Sequence, residues 1–190
     1  MIILKKVKPI LNLDKDGVVT ELLNPTLRIY KEHFDSTCEL KRENIVHYDL
    51  RQLPLVKNTR DELYIPHGKK IFLDYATLID ENSPNVIDDL MQEIEIHIVT
   101  DQFNEDNKRY AIECMEKFKI NYNKIFFTGK KGEQKGHIAV EDSPYNLVDC
   151  HNCGKYTIGF DAPYNKDWKG IRVSSYEEMK KEIIKILKQL

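Results

Sequence analysis

Apolar residues fall into two rhythms along the chain. Short, dense runs read as strands. Val7–Leu13 reads as a buried strand ending at Asp14, and Glu95–Thr100 (EIHIVT) alternates apolar and polar positions. Lys124–Gly129 (KIFFTG), His137–Asp142 (HIAVED) and Tyr156–Phe160 (YTIGF) are further strands, with IRVSS after them. Between these runs the apolar residues recur at helical spacing. Leu22–His33 is one helix. Ser83-Pro84 opens another over Asn85–Glu93, with proline at a first-turn position. Glu105–Phe118 is an amphipathic helix, and a further one starts at about Pro144. A last helix is announced by a capping box, Ser175 with Glu178, and carries Met179, Ile183, Ile186, Leu187 and Leu190 on one face. Phe34 to Ile65 follows neither rhythm.

Strands alternating with helices predict an α/β fold, a parallel sheet with helices on both faces. Ligands in such folds bind beyond the carboxyl ends of the strands. The polar clusters of this chain sit at those ends: Asp14 and Asp16 after the first strand, Thr100 and Asp101 after EIHIV, Glu141 and Asp142 after HIAV. Taken singly each has an ordinary explanation. Asp16-Gly17 is a turn signal, Thr100 could cap the helix that follows, and Glu141-Asp142 would favourably charge a helix N-terminus. Their convergence on one edge of the sheet is what points to a site.

Composition narrows the classes. The 190 residues fit one domain, or one domain with a modest insertion. With 29 basic and 31 acidic side chains the net charge is only −2, which leaves no basic field for a nucleic acid duplex. No apolar run approaches a membrane span. The N-terminus MIILKKVKP places its lysines after the apolar start, the reverse of a secretory signal, so a cytoplasmic protein is expected. Four cysteines occur, Cys38, Cys114, Cys150 and Cys153. The CxxC of CHNCG lacks the second ligand pair a zinc site needs. Reduced cysteines near a helix end, with Gly154 as the C-cap, are the expectation.

Four carboxylates gathered at one edge would repel and take up protons unless a cation sat among them. Oxygen-only ligands select a hard ion, and Mg²⁺ suits a site that also holds phosphate. Thr100 and Lys131, the latter in FTGKKGEQKG, would complete a phosphate-binding set. One carboxylate could attack phosphorus, and a second, two residues on, could protonate the leaving oxygen.

These residues, in the order LDKDGVV, IHIVT, Lys131 and IAVEDSP, resemble the haloacid-dehalogenase-like (HAD) phosphatase superfamily. The tail GFDAPYNKDWKGIRVSSYEEM and the stretch FTGKKGEQKGHIAVEDSPYNL resemble its 5′(3′)-deoxyribonucleotidase-like branch. The resemblance implies a doubly wound Rossmannoid core over residues 1–19 and 76–190 and a small helical cap over 20–75, inserted after strand one. It implies Asp14 as nucleophile and Asp16 as proton carrier, with Thr100, Asp101 and Lys131 on the phosphate. Mg²⁺ would be held by Asp14, the Asp16 backbone carbonyl, Glu141 and Asp142. The implied substrate is a small phosphomonoester, a (deoxy)nucleoside monophosphate by the branch, with Tyr48 of the cap as a residue of its pocket. Partner nucleic acid and membrane are not implied, and the assembly state stays open, a homodimer included.

Two features depart from the branch. Its fourth strand usually ends in two aspartates, whereas Glu141-Asp142-Ser143 is common in the phosphoglucomutase-like branch. Lys15 stands between the aspartates where an apolar residue is frequent, and is expected to point away from both. Lys130 and Lys135 rival Lys131 as the motif lysine. KKIFLDYATLIDENSP also places a lysine ahead of an acidic pair, but it precedes Thr100 and leads into a helix, so it reads as a chance match. The alternatives to a nucleotidase are a sugar-phosphate phosphatase or phosphomutase of the same fold, and a catalytically silent HAD-like binding domain.

Overall fold

The computed structural model describes residues 7–190. Residues 1–6, which carry much of the N-terminal reading and open the 1–19 segment, lie outside the described residues. Six strands form one parallel sheet: β1 (Ile10–Leu13), β2 (Glu95–Thr100), β3 (Lys124–Phe127), β4 (Ile138–Glu141), β5 (Tyr156–Phe160) and β6 (Ile171–Val173). Their spatial order is β3-β2-β1-β4-β5-β6. The order reverses between β1 and β4, and in doubly wound sheets that switch point opens the ligand crevice. Leu13 is in register with both Ile98 and Val140, so β1 ends beside β2 and β4, which run on to Thr100 and Glu141.

The central strands β1 and β4 are short and buried on both faces, which explains their near-continuous apolar sequences. β2 does not alternate in burial as its sequence suggests. It lies inside the sheet between β1 and β3, and everything from Ile96 to Thr100 is buried. The first strand begins at Ile10 rather than Val7: Pro9 has no N–H to give the ladder, and Val7 is 87% exposed.

The α-helices are α1 (Leu23–His33), α2 (Ser83–Leu90), α3 (Glu105–Lys117), α4 (Pro144–Asn152) and α5 (Tyr176–Leu187). α2 stops short of Glu93 because the amides of Gln92 and Glu93 reach back only three residues, to Asp89 and Leu90. The Ser175 hydroxyl caps α5 by accepting from the Glu178 amide, but the Glu178 carboxylate accepts from Ser174 rather than closing the box on Ser175. On α5, Met179, Ile183 and Ile186 are buried, while Leu190 lies past the helix and is half exposed. At the end of α4 Gly154 takes φ +81°, Cys150 is buried and Cys153 is exposed.

The link between β3 and β4 and the link between β5 and β6 contain no α-helix, so strand–helix alternation is incomplete. The insertion after β1 is helical but irregular. It has α1, a 3-10 turn at Arg42–Asn44 and two π-helical turns at Arg60–Tyr64 and Lys70–Asp74. It has its own apolar cluster, with Ile29, Tyr30, Ile45, Leu53, Leu63 and Phe72 buried together. The sheet, α2, α3 and α5 share the other cluster. In the chance-match segment, Asp80 accepts from the amides of Asn82 and Tyr176, which ties the start of α5 to the start of α2.

Candidate active site

β1 carries its last ladder bond one residue past the strand, from the Asp14 amide to the Val140 carbonyl (3.1 Å). The chain then turns sharply. The Lys15 carbonyl accepts from the amides of Val19 and Thr20, and Gly17 adopts φ +86°, a conformation that favours glycine. Asp14 thereby faces the end of β4, where Glu141 and Asp142 lead into α4, capped by Ser143. Asp14, Glu141 and Asp142 are all buried and offer oxygens within 4.8 Å of one another. The Asp16 carboxylate is not part of this group.

Each carboxylate has a donor, one of them shared between Asp14 and Glu141. Lys131 Nζ lies 2.6 Å from Asp14 Oδ2 and 2.7 Å from Glu141 Oε1. The Tyr164 hydroxyl donates to Asp142 Oδ2, and Asn165 Nδ2 donates to the Asp142 carbonyl (2.8 Å). Asp16 Oδ2 accepts from Gln102 Nε2 (2.7 Å) and Thr100 Oγ1 (3.3 Å). Its other oxygen, Oδ1, lies 2.7 Å from Lys15 Nζ.

Burial of so many charges shifts their proton affinities. Burial, and then the charge of Asp14, pushes Asp142 up to about 7. Burial likewise raises Glu141 well above the carboxylate range, with Asp14 adding to it and Lys131 opposing. Asp14 is raised by burial against the pull of Lys131. Burial alone would lower Lys131, but Asp14 and Glu141 outweigh it and hold the ammonium firmly charged. The all-oxygen donor set, its burial and its excess of acid over base fit a hard divalent cation. The cleft above is a cavity of about 490 Å³, entered between the strand ends and the inserted segment. Its walls bring Tyr48, Tyr64, Phe72 and Phe103 toward Asp14 and Lys131. Tyr64 stacks on Phe103 at 6.0 Å, and Tyr48 stands edge-on to Tyr164 at 5.2 Å.

Residues 8–190 match a family model described as 5′ nucleotidase, deoxy (pyrimidine), cytosolic type C protein (NT5C). The chain belongs to this 5′-nucleotidase family. It is thus a HAD-type hydrolase, and several solved structures share its fold. A HAD family hydrolase from Deinococcus radiodurans R1, with bound phosphate and sodium, aligns with TM-score 0.66 and 13% identity over 94% of this chain and 95% of that one. The haloacid dehalogenase-like protein SP0104 from Streptococcus pneumoniae aligns with TM-score 0.66 and 10% identity over 93% and 98%. The HAD-hydrolase YfnB from Bacillus subtilis, bound to magnesium, aligns with TM-score 0.58 and 15% identity over 96% and 99%. No curated protein matches the sequence. Among the described residues no helix is long and apolar enough to cross a membrane.

The candidate residues named from the sequence come together as follows. Asp14, Thr100, Lys131, Glu141 and Asp142 are buried at the crevice, and Asp16 and Asp101 line the cavity with them. The Asp101 side chain is exposed and lies over Gly129, where an added Cβ would come within 3.0 Å of it. Of the three lysines, Lys131 enters the cluster, whereas Lys130 pairs with Glu133 and Lys135 is exposed. Lys15 overturns its expectation. It does not point away from the aspartates but is fully buried against Asp16, because the tight turn folds its side chain back under the loop. Gln102 and Tyr164 were not anticipated from the sequence. A PYN loop after β5 was the available signal for Tyr164, while nothing local marks Gln102.

Proposed function

We propose that the protein hydrolyses nucleoside monophosphates with Mg²⁺, through an aspartyl-phosphate on Asp14. The observation that carries this reading is Lys131 set between Asp14 and Glu141 at 2.6 and 2.7 Å, a cation beside the candidate nucleophile at the mouth of a cavity. Asp14, the Asp16 backbone carbonyl, Glu141 and Asp142 would hold the metal. Bound there, Mg²⁺ would neutralise phosphoryl charge and orient the ester for in-line attack.

The chain's own residues then act in two steps. Asp14 Oδ attacks phosphorus, the bond from phosphorus to the ester oxygen breaks, and Asp16 passes its proton to the departing alkoxide. In the second step Asp16 takes a proton from water as the water oxygen attacks phosphorus. The bond from phosphorus to Asp14 breaks, freeing phosphate and restoring both carboxyl groups. Thr100 and Lys131 hold the phosphoryl oxygens as charge develops on them. Asp101 bears a carboxylate that would repel phosphate, so its contribution is assigned to its backbone N–H. Residues 20–75 serve as the cap. Their aromatic side chains, Tyr48 among them, give the cavity the apolar walls a nucleoside needs. The deoxy and cytosolic terms in the family's description support a deoxynucleotide substrate and a cytosolic setting.

Phosphate release from a panel of nucleoside 5′- and 3′-monophosphates and sugar phosphates tests the substrate class. A clear preference for nucleotides is expected; uniform, low release would refute the nucleotidase reading, and a preference for sugar phosphates would favour the sugar-phosphate phosphatase alternative. Asp14→Asn is expected to lower turnover at least ~1,000-fold, as loss of a covalent nucleophile does, with the fold retained by circular dichroism. Wild-type turnover by that variant would rule out the covalent route.

A further inference from the structure

Lys15 is an unusual residue to find fully buried: its side chain is 0% exposed, one position from each aspartate of the strand-end turn. Its Nζ lies 2.7 Å from Asp16 Oδ1 and 3.2 Å from Thr20 Oγ1, and 5.6 Å from the centroid of the Phe72 ring. Asp16 is the one carboxylate it pairs with among the described residues. The two lysines buried beside these carboxylates therefore divide the site, Lys131 serving Asp14 and Glu141 and Lys15 serving Asp16. Lys15 is not among the residues that line the cavity, so it acts from behind the turn.

The other donors to Asp16 are neutral, and one of them has a second task in the proposed reaction. Thr100 has a single hydroxyl proton, now directed at Asp16 Oδ2. When that proton turns to a phosphoryl oxygen, Asp16 loses a contact at the moment its orientation matters. The Lys15 ammonium, held by the turn on the opposite oxygen, is a charge-assisted donor that substrate does not compete for.

We propose that Lys15 is a positioning residue that fixes the Asp16 carboxyl group for proton transfer to the leaving group. This rests on the role assigned above to Asp16. Aryl and nucleoside esters separate orientation of the acid from general structural damage. p-Nitrophenolate leaves without needing a proton, whereas a nucleoside alkoxide needs one. The ratio kcat/KM reports steps through departure of the leaving group, and kcat includes hydrolysis of the aspartyl-phosphate common to both.

Lys15→Met, similar in length and without the ammonium, is to be assayed with a nucleoside 5′-monophosphate and p-nitrophenyl phosphate, beside Asp16→Asn. The expected result is a fall in kcat/KM of ~10–100-fold for the nucleotide, part of the ~10²–10⁴ a positioned acid supplies, against less than ~3-fold for the aryl ester. Where dephosphorylation limits turnover, kcat falls equally for both. Asp16→Asn should show the same selectivity, more strongly. Equal losses in kcat/KM on both substrates, or none, with Asp16→Asn still selective, would overturn the role of Lys15 alone. An unselective Asp16→Asn would overturn the role of Asp16 and the proposal with it. If Lys15→Met does not fold, Lys15→Gln, which keeps a shorter neutral donor, is read by the same ratio.

Discussion

Gly17 shows how little room the turn after β1 has. At φ +86° a Cβ would lie 1.9 Å from Asp142 Oδ2, so alanine there must displace one of the three clustered carboxylates. The left-handed backbone adds about 1–2 kcal/mol for a non-glycine residue. Gly17→Ala should therefore lower kcat/KM more than 10-fold, about 1.4 kcal/mol of transition-state stabilisation, and weaken Mg²⁺ binding in a calorimetric titration. Wild-type affinity in that variant would show that Asp142 can move without consequence. At this scale the sequence was informative about identity and poor about direction. Asp14, Thr100, Glu141 and Asp142 could be picked out because each stands at a strand end, whereas Lys131, in the loop after β3, was set apart from Lys130 and Lys135 by the family resemblance. The orientation of Lys15 could not, since it depends on Val19 and Thr20 turning back to its carbonyl. Gln102 was hidden for a similar reason: its partner Asp16 lies 86 residues away in sequence.

The segment between β3 and β4 delivers Lys131 without a helix to stiffen it, so neighbouring elements must hold it. Asp149 of α4 accepts from the Gly132 amide at 2.7 Å, and Lys155, just before β5, donates to the Gly132 carbonyl. Asp149→Ala would strand a buried N–H, a loss of about 1–3 kcal/mol. A lower Tm is expected, with kcat/KM reduced several-fold on every phosphoester alike, because Lys131 is shared by all of them. A variant with reduced Tm but unchanged kcat/KM would show that the loop is held by other contacts. The regular elements were legible wherever apolar spacing was strong, as in α1, α3 and β5. The two π-helical turns at Arg60–Tyr64 and Lys70–Asp74 were not, because they form where the chain packs back on α1, and in the second case on α3, rather than from a local pattern.

For the whole molecule, the buried acids couple stability to pH. Asp142 moves from the ordinary 3.8 to about 7 on folding. Between those values the folded chain keeps a proton the unfolded chain has released, so this group makes the metal-free protein less stable as pH rises from about 4 to 7. Asp14 and Glu141 shift in the same direction. A cation binds the deprotonated form, so its stabilising effect grows with pH. The rise in Tm on replacing EDTA by Mg²⁺ should be larger at pH 8 than at pH 5.5; equal rises would mean that these carboxylates are not the ligands. The parallel, doubly wound architecture was readable from the order of strands and helices. The short β6, an edge strand of three residues, was less so, since its pairing with β5 is set by the helix-free loop between them. The placement of β1 also bears on synthesis. Its partners β2 and β4 lie far along the chain, and residue 13 pairs with residue 140. At about 5–20 residues per second, the ribosome needs roughly 6–25 s to supply the second partner. Until β2 is made the nascent chain carries an apolar strand with both sides unpaired, and until β4 follows one side stays open, a natural point for a chaperone to bind.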